Sequence, residues 1–594
     1  MNEWRQRFER FGPGIGLFVV LAFVALLYAP TLQFQFVYDD VFQIALNPHV
    51  HSWHYFPIYF TQNVWSHVPN NTAGFYRPLF LLWLRVNNVM FADEPAGWHL
   101  TTLLVHLLAT FLVYLLGREL LKNRNTALLS AAIFGVHPIH LEAAAWVSGV
   151  NESLAGVLFL SAFLGYLQWK KSSGKKQWLP ASLGFYTAAL LVKETAAALV
   201  LVIAAYEYFC RTSENSEWAE RRPAQFRVLA WYGGVLLMYC FARSFAVHGF
   251  ANHATASIRT SLLSWPWLLC LYLKMLVWPA RLSPLYDFSY VMAGLDFRLI
   301  LPGMAAIVLV LALIRCSRRH SSKVALFLFT WFAITLAPAF VQFLLARSSE
   351  SYHDRYLYLP SVAFALLVGE LFDRTAQQAG PIRRPVVWTC SAVVLVLLAV
   401  SARSQMGVWE NNYSLFAHAH EVAPGNELAA SNLAAELINR GKYLEARALS
   451  LDMIRLHPGT LPPLGTAASA SFLLHDYAAA EQYYSSAIEL DPKQSHYFYM
   501  LGLAEVRLGK YNQAIANLHE AIRLSPDEPF LHYALGNAFA EQQDWAGAQE
   551  EFLAELRLNS DGSQLPAKQA LQNAQTHLQA KIRLASSNPS SDPR

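Results

Sequence analysis

Gly14-Ile15-Gly16-Leu17-Phe18-Val19-Val20-Leu21-Ala22-Phe23-Val24-Ala25-Leu26-Leu27-Tyr28 runs on to about Leu32 without a charge, and Val37-Tyr38-Asp39-Asp40 follows it at once. Roughly 20 apolar residues suffice to cross a bilayer as a helix. A cleaved leader has a shorter apolar core and a small-residue cleavage site. The run therefore reads as a first transmembrane helix. Arg5, Arg7 and Arg10 precede it and place its N-terminus inside. Two adjacent carboxylates then open a loop, Phe34 to Arg77, that is rich in Trp, Tyr, Phe and His and has no Lys or Arg before Arg77. Such a loop points to chemistry at the outer membrane face.

Composition supports a membrane protein throughout the first two thirds. Hydrophobic residues make up 55% of the 594 and charged residues 14%, against about 25% charged in a soluble domain. A net charge of +4, scattered along the chain, gives no nucleic-acid footprint. Cys210, Cys240, Cys270, Cys316 and Cys390 all lie in or beside apolar runs without a Cys-x-x-Cys, so neither a disulfide framework nor a zinc site follows.

Further apolar segments fall near 96–120, 125–137, 150–169, 177–192, 195–210, 226–247, 263–280, 297–314, 323–345, 355–373 and 385–403. Basic clusters at Lys122/Arg124, Lys170 to Lys176, Arg211 to Arg227, Arg315 to Lys323 and Arg383/Arg384 mark the inside loops. The loops at 34–76, 138–150, 192–195 and 346–354 then lie outside. Counting every segment gives twelve spans and an internal C-terminus, whereas Arg383-Arg384 starts the last span inside. The segment 263–280, with Trp265-Pro266-Trp267 near its start, is expected not to cross fully. About eleven crossings and an external C-terminus result.

After Arg403 the pattern changes to amphipathic helices with an internal repeat. Pro424, Pro458, Pro492 and Pro526 are spaced by 34 residues, as are Tyr443, Tyr477, Tyr511 and Trp545, and Ala446, Ala480, Ala514 and Ala548. This is the period of the tetratricopeptide repeat, in which small residues let paired helices approach and Pro follows the second helix. Four repeats are expected over about 427–560, then a helix around 562–584. The expected division is a transmembrane domain over 1–404, a connecting helix over 405–426, the repeats over 427–585 and a disordered tail over 586–594.

Four groups of residues carry candidate chemistry. Asp39 and Asp40 read plainly as a solvated pair capping a helix. They read more sharply as a general base for an acceptor hydroxyl, and a divalent cation held through their oxygens stays open. His137-Pro138-Ile139-His140-Leu141-Glu142 has a metal-ligand look, but Pro138 separates the histidines. A zinc set, a turn braced by histidine hydrogen bonds and a polar wall around a substrate all stay open. Lys193-Glu194 is either a mutual ion pair or places Lys193 on a lipid phosphate. Arg355, in His353-Asp354-Arg355-Tyr356-Leu357-Tyr358, is either an interfacial anchor paired with Asp354 or a phosphate fork. Arg77, opening an apolar helix, belongs with them.

Phe36-Val37-Tyr38-Asp39-Asp40, Tyr76-Arg77-Pro78-Leu79, Trp98-His99-Leu100, His137 to Ala143, Lys193-Glu194 and Arg355 to Pro360 occur in that order before the repeats. The chain thereby resembles the transmembrane and tetratricopeptide-repeat O-mannosyltransferase family and its bacterial relatives, within the GT-C superfamily. The resemblance implies an all-α fold, a polytopic bundle of about 11–12 spans followed by a repeat solenoid. It implies transfer of a sugar, mannose or another hexose, from a polyprenyl-phosphate donor to a hydroxyl of a protein acceptor held by the repeats, with inversion. One of Asp39 and Asp40 would be the base, with Asp40 slightly favoured. His137, His140 and Glu142 would line the sugar or acceptor side, and Lys193, Arg355 and Arg77 would hold the lipid phosphate. No cofactor is required, and the partners are the lipid-linked sugar, a protein acceptor and membrane lipid. The expected setting is a bacterial inner membrane with site and repeats on the periplasmic side. The alternative is a membrane-anchored scaffold that recruits proteins without catalysis.

Overall fold

The computed structural model describes residues 2–68, 74–172, 177–210, 222–247, 256–305 except 293 and 295, 308, 323–346, 352–558 and 565–587. They form helices and turns with no strand among them, in two compact units, Met1–Val422 and Ala423–Arg594.

Among the described residues of the first unit, seven helices are long and apolar enough to cross a membrane: Gly14–Gln33, Pro95–Leu121, Val150–Lys171, Arg227–Ala246, Lys323–Leu345, Asp354–Gln378 and Ile382–Trp409. Arg124–Val136 and Pro138–Ala145 make an eighth if taken as one path bent by 53°. Three apolar helices are shorter, Pro78–Phe91, Trp178–Val192 and Trp265–Val277. At about 1.5 Å per residue each is roughly 20–22 Å long, less than the about 30 Å of a hydrocarbon core. The eleven or twelve expected segments therefore divide, among the described residues, into long crossings and short pieces. Trp265–Val277, the segment expected to stop short, is one of the short ones. Most of 306–322 lies outside the described residues.

Outward faces stay apolar, as a lipid solvent requires: Phe18, Leu26, Trp231, Leu237, Val393 and Leu397 are exposed. Inward, small residues set the spacing. A Cβ on Gly369 would lie 2.2 Å from Ser130 Oγ, and one on Gly156 would lie 2.9 Å from the Tyr358 ring. Trp98, Trp331, Phe80, Phe134, Phe159 and Tyr358 fill the core.

The bend after Val136 is dictated by Pro138. The residue before a proline is pushed out of the helical region, and His137 sits at φ −67°, ψ 126°. A 3-10 turn, Pro138–His140, and a short helix, Leu141–Ala145, then carry Glu142 inward.

In the second unit, four helix pairs follow the 34-residue period, Glu427–Asn439 with Tyr443–Leu456, Leu461–Leu473 with Tyr477–Leu490, Ser495–Arg507 with Tyr511–Leu524, and Leu531–Glu541 with Trp545–Leu558. The repeated aromatic is the first residue of each second helix, and Ala446, Ala480, Ala514 and Ala548 are fully buried. Gly502 and Gly536 face Leu518 and Phe552 so closely that a Cβ would lie 2.7 Å and 2.5 Å away. The terminal helix Leu565–Ser587 covers the last pair, with Ala574 against Ala548 and Phe552, and His577 stacked on Trp545 at 4.2 Å. Ser560 and the tail beyond Ser587 lie outside the described residues.

Candidate active site

Tyr38 turns the chain out of the first span through the left-handed region, φ 56°, a costly conformation for a bulky residue. Its surroundings hold it. The Tyr38 N–H donates to Asn412 Oδ1 at 2.8 Å, and its ring packs on Trp146 and Phe416 at 5.7 and 5.8 Å. The neighbouring Gln35 N–H donates to the Glu410 carbonyl at 3.0 Å.

The turn sends the two aspartates into different environments. Asp40 is fully buried. It accepts from Val37 N at 3.1 Å, from Ser148 N at 2.7 Å and from Ser148 Oγ at 2.5 Å. Burial pushes its carboxyl up to about 7 against the pull of those donors. Asp39 is partly exposed and accepts no hydrogen bond among the described residues. Burial pushes its carboxyl up to about 6, with Arg355 pulling it down and Glu142 pushing it up. A half-buried carboxylate with free oxygens and a raised pKa suits a general base. Asp40, engaged by three donors, suits a bracing role instead, so the surroundings differ at two residues between which the sequence slightly favoured Asp40 as the base.

Three cation–carboxylate pairs lie in reach of one another's charge, and the first of them, Arg355 with Glu142, also acts on Asp39. Arg355 Nη1 donates to Glu142 Oε1, and the Arg355 backbone N–H donates to Glu142 Oε2 at 2.8 Å. Lys193 Nζ donates to Glu152 and, at 3.3 Å, to Asn151 Oδ1. Arg77 grips Glu194 with two bonds, Nε to Oε2 at 3.2 Å and Nη2 to Oε1 at 2.7 Å. The Tyr356 ring lies 5.7 Å from Lys193 Nζ and 5.4 Å from Arg355 Cζ and bridges two of the pairs. The pairing differs from both plain expectations. Lys193 does not bond to Glu194, because its extended backbone (φ −157°, ψ 135°) separates the neighbouring side chains. Arg355 bonds to Glu142 rather than Asp354, whose carboxylate accepts from the Tyr286 hydroxyl at 2.6 Å.

His137 and His140 are buried, and every ring nitrogen is engaged. His137 donates from Nε2 to the Leu276 carbonyl at 2.9 Å and accepts from Ile139 N at Nδ1. His140 donates from Nδ1 to the Phe134 carbonyl at 2.8 Å and meets the Ser361 hydroxyl at Nε2, also at 2.8 Å. They brace the broken helix from behind. No group of three or more His, Cys, Asp and Glu among the described residues is arranged to hold a metal ion.

Two members of the site carried no signal that spacing rules detect. Ser148 is an ordinary serine until Asp40 is placed against it. Trp146 packs between Tyr38, Arg355 and Trp409, and its buried indole N–H has no acceptor among the described residues. Glu152 follows Asn151 in sequence, and its pairing is explained by the burial of Lys193, because a buried cation needs an anion.

Residues 77–244 match the family model for dolichyl-phosphate-mannose-protein mannosyltransferase, and 464–494 and 502–543 match tetratricopeptide-repeat models. Protein O-mannosyl-transferase TMTC3 of Mus musculus is 24% identical over 92% of this chain and 64% of its own length. TMTC1 of Homo sapiens is 26% identical over 74% of this chain and 55% of its own. Tmtc2 of Drosophila melanogaster is 37% identical over a shorter stretch, 32% of this chain and 21% of its own. The chain thus spans under two thirds of the length of the curated relatives it matches. A segment matching the mannosyltransferase model followed by tetratricopeptide repeats, with similarity running along nine-tenths of the sequence, makes this multi-pass membrane protein similar to the transmembrane and tetratricopeptide-repeat O-mannosyltransferases.

Proposed function

We propose that this protein transfers a hexose, mannose by the names of its relatives, from a polyprenyl-phosphate carrier to a hydroxyl of a protein acceptor gathered by the repeats. The observation that carries the reading is Asp39: a carboxylate with free oxygens, shifted toward neutrality, close enough to Arg355 to feel its charge. Asp39 takes the acceptor proton as the acceptor oxygen bonds to the anomeric carbon. The bond from that carbon to the phosphate oxygen breaks, its electron pair stays with the phosphate, and configuration inverts. Arg355 and Arg77, both partly open to solvent, hold the growing phosphate charge in a site where fixed cations act strongly. Lys193, buried against Glu152 and the Tyr356 ring, adds its charge to the field of the site. The anomeric centre takes oxocarbenium character, by analogy with glycoside hydrolysis, and the Trp146 N–H offers a donor to a sugar hydroxyl. We assign Glu142 to orienting Arg355, and His137 and His140 to holding the wall on which Glu142 sits. The lysine and arginine asymmetry of the loops supports a reading with site and repeats on the outer face, periplasmic in a bacterial inner membrane.

The test is transfer of labelled mannose from polyprenyl-phosphate mannose to a protein acceptor, with Asp39→Asn and Asp40→Asn beside wild type and a chelator lane. Loss of transfer in a folded Asp39→Asn protein supports the reading. Wild type inert with this donor and with other lipid-linked hexoses sinks it.

A further inference from the structure

Each of the three cations at the site already has an anion, and a lipid phosphate that takes the two-nitrogen edge of one of them displaces the carboxylate on that edge. The carboxylates differ in what leaving would cost. Glu142 is 1% exposed and also accepts the Arg355 backbone N–H. Glu152 is 5% exposed and faces a lysine that is 4% exposed. Either one, parted from its cation, would remain a bare buried charge. Glu194 is 30% exposed, so water can receive it. It begins the 3-10 helix Glu194–Ala198, and its neighbour Lys193 is fixed by Glu152 and Asn151. The backbone on both sides of Glu194 is thus held, and the exchange asks only its side chain to turn.

Arg77 is built to survive the exchange. Its guanidinium lies 4.4 Å over the Phe75 ring, and its backbone carbonyl accepts from Phe80 and Leu81 at the start of the Pro78–Phe91 helix. The edge that now holds two carboxylate oxygens is the edge that takes two phosphate oxygens.

We propose that Glu194 is a placeholder for the donor phosphate. It fills the Arg77 fork in the empty site, turns into solvent when the lipid-linked sugar arrives, and returns to compete the spent carrier off. The inference rests on the transferase reading. Competition matters most after transfer. The donor is a phosphodiester with one charge, and the product is a phosphate monoester with about −1.5 to −2, which Arg77 holds harder. Glu194 is thus a positioning residue that sets product release.

The experiment measures kcat, donor KM and the inhibition constant of polyprenyl phosphate for wild type, Glu194→Gln, Glu194→Asp and, for comparison, Glu152→Gln. Glu194→Gln should lower donor KM and the inhibition constant by about threefold to tenfold, the range expected when one competing charge-assisted contact is lost, with kcat falling as release slows. Glu194→Asp should restore the wild-type pattern in part. Glu152→Gln should instead raise donor KM. If Glu194→Gln raises both constants, leaves them unchanged or fails to fold, Glu194 is a strut and the proposal falls. Wild type that transfers while Glu194→Gln is unshifted removes the placeholder alone, whereas inert wild type removes the transferase reading with it.

Discussion

Asp39→Asn and Asp40→Asn are expected to fail in different ways. Asp39 accepts no hydrogen bond among the described residues, so its amide variant should keep the loop and lose the proposed base. Transfer should drop by about 10²–10⁴, the usual worth of a positioned base. Thermal stability at neutral pH should rise by about 1 kcal/mol, a partial discount on the carboxyl's shift because the group is partly solvated. Asp40 accepts from two backbone N–H groups and a hydroxyl. Its amide variant should cost about 1–3 kcal/mol and activity with it. The pH dependence follows from the same shifts. Asp39 titrates higher folded, at about 6, than unfolded, near its ordinary 3.8. Its contribution to stability is therefore present below the unfolded value and is lost as pH rises through about 6. Activity runs the other way and should climb through the same window. A pH–rate profile with a single acid limb near 6 in wild type, set against a melting series in the same buffers, checks both signs.

At the scale of elements, the bent path through Arg124–Ala145 and the turn after it form the back of the site. Gly149 follows Ser148 there, and a Cβ on it would lie 2.3 Å from the Glu142 carbonyl oxygen. Gly149→Ala should push the turn away from Glu142 and Ser148 away from Asp40. About 1–3 kcal/mol of stability and most of the transfer activity should go together, as melting and the mannose assay would show. Much of this element was legible. Pro138 announced the break, and the charged residues that gather at the site are those that stood out in the apolar sequence. Their partners were not legible. Lys193 and Glu194 are adjacent in sequence, yet one reaches Glu152 and the other Arg77, because an extended residue points neighbouring side chains apart. Arg355 passes over Asp354 for Glu142, 213 residues away. Local spacing carries no information about such pairings. Only the packing of spans against one another decides them.

At the scale of the whole molecule, the two units answer to different patterns. The repeat unit was readable almost residue by residue, since a fixed period leaves little for tertiary context to decide. The membrane unit was readable in kind but less so in count. Hydropathy marks apolar segments without saying which of them reach both faces, and Trp178–Val192 and Trp265–Val277 are too short for that as single straight helices. The division gives a further prediction. Gly536→Val would drive a side chain into Phe552 and should destabilise the repeats by about 1–3 kcal/mol. If the repeats gather the acceptor, that variant loses transfer to folded protein acceptors while transfer to a short serine or threonine peptide at high concentration persists. Equal loss on both acceptors would show that the repeats serve something other than acceptor capture.

Val37 and Ser148 direct their backbone amides at a carboxylate rather than at a carbonyl or at water. Deuterium uptake at these amides therefore clocks the opening of the acidic loop. Both should exchange far more slowly than the exposed amides nearby in wild type. Asp40→Asn should release them to fast exchange together, while Asp39→Asn leaves them slow. The loop's integrity can thus be followed by mass spectrometry with no sugar, donor or acceptor present.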